Sequence, residues 1–106
     1  QVFNWNELSA TMQWKFRTLR EGEYEVYLRY GAIKGCEENQ FKLTVGDHEI
    51  ENFVKSTGGW YTYDTFSAGT IKLKPSNEHS LIIKPEHLNG CSLMNLKEVL
   101  LIPVIK

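Results

Sequence analysis

The sequence predicts an all-β fold of the sandwich type, and three observations predict it. Apolar residues recur at every second position through most of the chain, the period of a half-buried strand. Glycine, proline and asparagine break that pattern every 8–12 residues or so, the spacing of short strands joined by turns. No stretch carries apolar residues at helical spacing over two turns. About eight to nine short antiparallel strands follow, wired as a Greek key or jelly roll.

The elements come in order. Residues 4–11 read as a loop or a single helical turn. Met12, Trp14 and Phe16 then alternate with Gln13, Lys15 and Arg17, a first strand. Arg20-Glu21-Gly22 turns the chain into a second, where Tyr24, Val26, Leu28 and Tyr30 share one face. These two strands are expected to pair as a hairpin. Phe41, Leu43 and Val45 form a third strand, and Gly46-Asp47 suits a two-residue type II′ turn into a fourth over 48–53. Residues 56–59 break the pattern, and 60–66 is an aromatic and threonine-rich strand. Ala68-Gly69 reads as a turn into 70–73, and residues 74–78 as another. A strand over 79–84 ends at Pro85, and a loop fills 86–92. The last strand, 96–105, is continuously apolar at Val99-Leu100-Leu101-Ile102, which fits a strand covered on both faces or a crowded edge.

With 106 residues, the chain is expected to form a single domain over 1–106 that buries about two-thirds of its unfolded surface. Twelve basic and 13 acidic residues are interspersed, which argues against a nucleic-acid partner. No apolar run approaches the roughly 18 residues of a membrane span, so no membrane partner is expected. There is no basic-then-apolar leader, and the chain reads as a mature domain excised from a longer protein.

Catalytic signals are weak. Neither a Gly-x-Ser-x-Gly elbow nor a phosphate-cradling loop is found. Glu49 and Glu51 fall on one face of one strand, the pattern of a solvated face rather than of opposed acid and base. Glu37-Glu38 is a loop charge cluster with the makings of a weak calcium ligand. His48 and His79 sit beside turns, and His87 lies in a loop where it can reach a ligand. No histidine pair has metal-ligand spacing. The domain is therefore expected not to be an enzyme. Cys36 and Cys91 are either two unlinked small apolar residues or one disulfide of an oxidising compartment.

The aromatic residues remain. Trp60 follows Thr57-Gly58-Gly59, where glycines lower the cover around a large ring. It shares parity with Thr62 and Asp64, the more polar face, while Trp14 shares parity with Met12 and Phe16, the core face. Flat aromatic rings stack on the C–H faces of sugars, with amides and carboxylates holding the hydroxyls.

Several segments, in order, resemble the family 6 and family 35 carbohydrate-binding modules, which have a galactose-binding-like β-sandwich. Gly22-Glu23-Tyr24-Glu25-Val26-Tyr27-Leu28-Arg29-Tyr30 is similar to the family's Gly-x-Tyr-x-Val-x-x-Arg strand. Ser56-Thr57-Gly58-Gly59-Trp60-Tyr61-Thr62-Tyr63 resembles its Thr-Gly-Gly-Trp signature. Gly69-Thr70-Ile71-Lys72-Leu73, His79-Ser80-Leu81-Ile82-Ile83 and Asn95-Leu96 match later strands, so that the likeness spans about residues 12–103. It implies a non-catalytic module that binds carbohydrate beside a catalytic domain of the same polypeptide. The host would be a secreted, periplasmic or cell-surface bacterial enzyme such as a fucosidase or sulfatase. It further implies that Trp60 stacks on the sugar, that Asn95 binds hydroxyls, and that Trp14 or Tyr30 lines a second wall. Loops 31–39 and 86–92, with His87, would complete the site, and a Cys36–Cys91 bridge would tie them together. Relatives carry structural calcium on an N-terminal Glu-x-Glu that this chain lacks, so calcium is only a possible cofactor here. The alternative is a structural accessory domain that packs against a catalytic domain and binds no sugar.

Overall fold

The computed structural model describes residues 11–35, 38–88 and 92–104. Among them are seven strands and no helix. These are β1 (Met12–Thr18), β2 (Gly22–Ala32), β3 (Gln40–Val45), β4 (His48–Phe53), β5 (Gly59–Leu73), β6 (Ser76–His87) and β7 (Asn95–Pro103). They build a four-stranded sheet, β1-β6-β3-β4, facing a three-stranded sheet, β5-β2-β7, with antiparallel pairing throughout.

The alternation places the core. Val26, Leu28, Tyr30 and Ala32 of β2 point between the sheets, opposite Phe41, Leu43 and Val45 of β3 and Leu81 and Ile83 of β6. Ile71, Leu73, Leu96, Leu93 and Met94 close it. Each large apolar side chain so buried contributes on the order of 1.5–3 kcal/mol, which opposes the ordering entropy of the chain. Outward positions carry the charges. Lys42, for example, faces Glu49, Glu51 and Glu86 at 3.7, 3.4 and 3.7 Å. Glu49 and Glu86 are the main causes that hold its ammonium above the ordinary lysine range.

Three expectations are corrected and a fourth, left open between two readings, is decided. First, β1 and β2 do not pair: β1 lies on β6, with Trp14 opposite Leu81. Both edges of β2 are already taken by β5 and β7, so β1 finds its partner in the other sheet. Of the connections between consecutive strands, only β3–β4 is a hairpin; every other one crosses between sheets. In that hairpin Gly46 has φ +58°, as a primed turn requires. Second, Ala68-Gly69 is not a turn. The register steps from Val26↔Gly69 to Tyr27↔Ser67, which leaves Ala68 as the extra residue of a bulge within a continuous 15-residue β5. This merger is why seven strands replace the expected eight to nine. Third, Pro85 does not end β6, which runs on to His87. Pro85 lies past Ile83, the last β6 residue paired with β1, beside a register shift against β3, where a missing N–H costs little. Fourth, β7 is an edge strand; of the two readings of its apolar run, the crowded edge is the one seen, with Leu100 37% and Ile102 48% exposed.

The crossings sort the connections to two ends. Residues 19–21, 46–47 and 74–75 gather at the Gly22 end of β2. Residues 33–35, 38–39 and 54–58 and the segment entering β7 gather at the Ala32 end, where Val54 N donates to Asn39 O and Asn39 Nδ2 to Ser92 O.

This arrangement is checked by a pair of substitutions. Leu81→Ala empties a fully buried site between Trp14 and Val45 and should cost about 2–5 kcal/mol in urea unfolding. Leu100→Ala on the exposed face of the edge strand should cost under about 1 kcal/mol. Equal losses would contradict the edge position of β7.

Candidate functional site

The Ala32 end of β2 is built around a residue without a side chain. Tyr30 and Ala32 point into the core, so Gly31 faces outward. On one side it pairs with Asn95 of β7. On the other, the β5 register jumps from Tyr30↔Asp64 to Ala32↔Gly59, which throws residues 60–63 out as a wide bulge. The bulge folds back over Gly31. A Cβ there would collide with the Trp60 carbonyl oxygen and lie 2.8 Å from its carbon and 2.9 Å from Gly59 O.

Asn95 fastens the bulge. Its side chain is 1% exposed. Its Nδ2 donates to Trp60 O at 2.7 Å and to Tyr63 Oη at 3.1 Å, which commits both amide protons. Behind the bulge, Thr57 locks the approach. Its N–H donates to Ala32 O (2.9 Å), and its Oγ1 accepts from Ala32 N (3.0 Å) and donates to Gly59 O (2.9 Å). Gly58, at φ +90°, makes the turn that follows. The Thr-Gly-Gly-Trp run is thus a support for the bulge. It presents three aromatic rings within four residues: Trp60 and Tyr63 half-buried, Tyr61 71% exposed. Lys97 Nζ sits 4.7 Å from the centroid of the Tyr63 ring.

The expected site residues scatter more than the resemblance implies. Trp60 and Asn95 come together, but Asn95 is buried beneath the bulge rather than presented on it. Simple parity does not describe residues 60–63, because a bulge suspends the alternation. Tyr30 is a core residue, 2% exposed. Its ring packs on Phe66 at 5.0 Å, and its oxygen accepts Lys55 N–H at 2.9 Å. Burial pushes its phenol above the ordinary tyrosine range, against the smaller pull of that N–H. Trp14 belongs to the other sheet and packs against the core. His87 is exposed at the end of β6, opposite Gln40, at the same end of the sandwich as the bulge. Cys36, Cys91 and residues 4–10 lie outside the described residues. Tyr61, Tyr63 and Lys97 were not named as site residues, and Gly31, expected as the start of a wall loop over 31–39, lies instead within β2; a glycine inside an apolar strand pattern is the signal that points to a close backbone approach.

The opposite end holds a cavity of about 530 Å³. Val45 and Leu73 line it together with Glu21, Asp47, His48, Lys72, Lys74 and His79. His79 is not a free surface residue: its ring stacks on Phe16 at 5.0 Å, and its Nε2 lies 2.9 Å from Thr18 Oγ1 and 3.0 Å from Lys74 O. Among the described residues no three His, Cys, Asp or Glu side chains converge to hold a metal ion.

No protein-family model matches the sequence. No curated protein matches it. Solved structures do match the fold. Three of them are a GH26-CBM35 β-(1,4)-mannanase of Podospora anserina, Xyl-CBM35 in complex with a glucuronic acid-containing disaccharide, and the CBM35 from Cellvibrio japonicus Abf62. Their TM-scores are 0.70, 0.70 and 0.71 at 16%, 15% and 16% identity, over 96%, 87% and 88% of this chain. The chain spans 21% of the mannanase and 65% of each of the other two. The fold is that of a carbohydrate-binding module. More narrowly, it is the fold seen in family 35 modules.

The Gly31 contact is tested directly. Gly31→Ala should destabilise by about 1–3 kcal/mol in thermal or urea unfolding, because the new methyl meets main chain that cannot step aside. Gly22→Ala, in open space on the same strand, should stay within about 0.5 kcal/mol of the parent.

Proposed function

We propose that this domain binds carbohydrate without catalysis, through the aromatic bulge at 60–63. The observation that carries the proposal is the bulge itself: Tyr61 stands 71% exposed and Trp60 half-buried on a backbone pinned by Asn95 and Thr57. Rings presented on fixed main chain suit the C–H faces of a pyranose, with nearby polar groups meeting the hydroxyls. The neighbours in the same fold support this reading, since one is a complex with a glucuronic acid-containing disaccharide and another is part of a mannanase. Family 35 is the nearer template of the two families the sequence resembles. In this reading the domain serves a secreted or cell-surface glycan-degrading enzyme, such as a fucosidase or sulfatase, from the same polypeptide. Stacking and a few hydrogen bonds set Kd at roughly 10 μM to 1 mM, and attachment to the enzyme raises the effective affinity.

A second reading is a structural accessory domain. Leu100 and Ile102, exposed beside Tyr27 and Glu25 on the outer face of the three-stranded sheet, favour it as an apolar strip.

The experiment is a glycan array and affinity-gel screen of the domain, with Trp60→Ala in parallel. Binding to at least one glycan is expected, with affinity at least tenfold weaker in the variant and a thermal midpoint within a few degrees of the parent. Unfolding of Trp60→Ala would make the residue a core element and overturn the site. A folded domain that binds no glycan would favour the accessory role.

A further inference from the structure

We propose that Asn95 is a positioning residue, which acts on the sugar through the main chain of Trp60 and does not touch the sugar. The inference rests on the carbohydrate-binding reading of the same site, and it departs from the resemblance, which assigns Asn95 to sugar hydroxyls.

Three observations lead there. Asn95 is 1% exposed, so the bulge stands between its amide and any ligand outside. Both Nδ2 protons are committed within the protein, to Trp60 O and Tyr63 Oη, so a sugar hydroxyl could take one only by breaking the support of the ring it stacks on. The third observation is the span. Asn95 lies on β7 and its acceptors on β5, with β2 between them. Strands two positions apart in a flat sheet lie about 9.6 Å from each other, beyond the reach of an asparagine. The gap closes only because residues 60–63 fold inward over the bare Cα of Gly31. Bulge, glycine and amide thus form one device: remove the amide and the Trp60 carbonyl loses its 2.7 Å bond to β7. The two outer strands are joined through a side chain at the point where the ligand would dock.

Asn95→Asp separates the roles. It keeps the shape and an oxygen able to accept a sugar hydroxyl, but offers no N–H to Trp60 O. The readout that a direct contact would not move is the order of residues 60–63 without sugar, followed by ¹⁵N relaxation and by the Trp60 indole resonance. In the parent, backbone order parameters there should be close to ~0.85; in Asn95→Asp and Asn95→Ala they should fall toward ~0.6, with the β3–β4 hairpin unchanged. Sugar affinity should drop at least tenfold in both variants alike. Tyr63→Phe removes one of the two acceptors and leaves Asn95 in place, so it decides the matter if neither Asn95 variant folds: it too should loosen residues 60–63. Lost binding with an unaltered, ordered bulge would overturn the proposal and make Asn95 a direct contact. Should the parent bind no glycan, the carbohydrate reading fails, but the relaxation of the free protein still decides whether Asn95 holds the bulge.

Discussion

The Ala32 end of this sandwich depends on the absence of one carbon atom. Gly31 is flanked by Asn95 on one side and the β5 bulge on the other, and the Trp60 carbonyl occupies the space a Cβ would need. Any other residue would lift the bulge, and a lifted bulge would move out of reach of the Asn95 amide. Interior glycine weakens a strand by roughly 0.5–1 kcal/mol. Here the weakness sits where β2 is gripped from both edges and its neighbours Tyr30 and Ala32 are buried, so the cost is absorbed by the core.

That core explains why the site can be irregular at all. Four strands on one side and three on the other leave β2 and β3 flanked on both edges over most of their length. Because nearly every connection crosses between the sheets, the ends of the sandwich are where consecutive strands are stitched together. The Ala32 end is stitched by polar side chains. Thr57, Asn39 and Tyr30 each turn a side-chain oxygen or nitrogen to the main chain of a different segment. These bonds tie the described parts of those loops to the sheets, and loops positioned by a scaffold are a usual setting for recognition. The Gly22 end is also fixed, through His79, Thr18 and the Lys74 carbonyl, but the charges around its cavity balance, with Glu21 and Asp47 against Lys72 and Lys74.

The fold was largely legible because inward and outward residues alternate so regularly. The alternation at 24–30 and 41–45 names core residues that the structure confirms as buried, including Val26, Leu28, Leu43 and Val45. Gly46-Asp47 marks the one true hairpin. Pairing was less legible, since period two says which face a residue takes and nothing about which strand lies beside it. β1 and β2, adjacent and equally amphipathic, therefore looked like partners although they occupy opposite sheets. Ala68-Gly69 misled for a related reason: glycine with φ +134° serves a bulge as well as a turn, and only the partner strand distinguishes them. At the site, Trp60 was visible through its glycines, and the alternation already set Tyr30 on the face of Val26 and Leu28, against the wall position the resemblance implied; the burial of Asn95 was not visible, because burial at the end of a sandwich is set by how loops fold over it.

The division of labour between ring and amide also bears on how such a surface attains useful affinity. An exposed aromatic on a mobile loop must be ordered by the ligand, and that entropy is lost from binding. Pinning the Trp60 carbonyl from β7 and the Gly59 carbonyl from Thr57 places the ordering within folding instead. In the carbohydrate reading proposed above, the ring would then meet a ligand with only side-chain torsions left to settle. Specificity on such a platform comes from whatever polar groups border it, and here the nearest identified is the Lys97 ammonium over Tyr63. Changes at that border can alter which ligand is preferred while the pinned main chain beneath stays as it is. The support is buried and the border exposed, so in the proposed reading ligand preference and stability would be controlled by different residues.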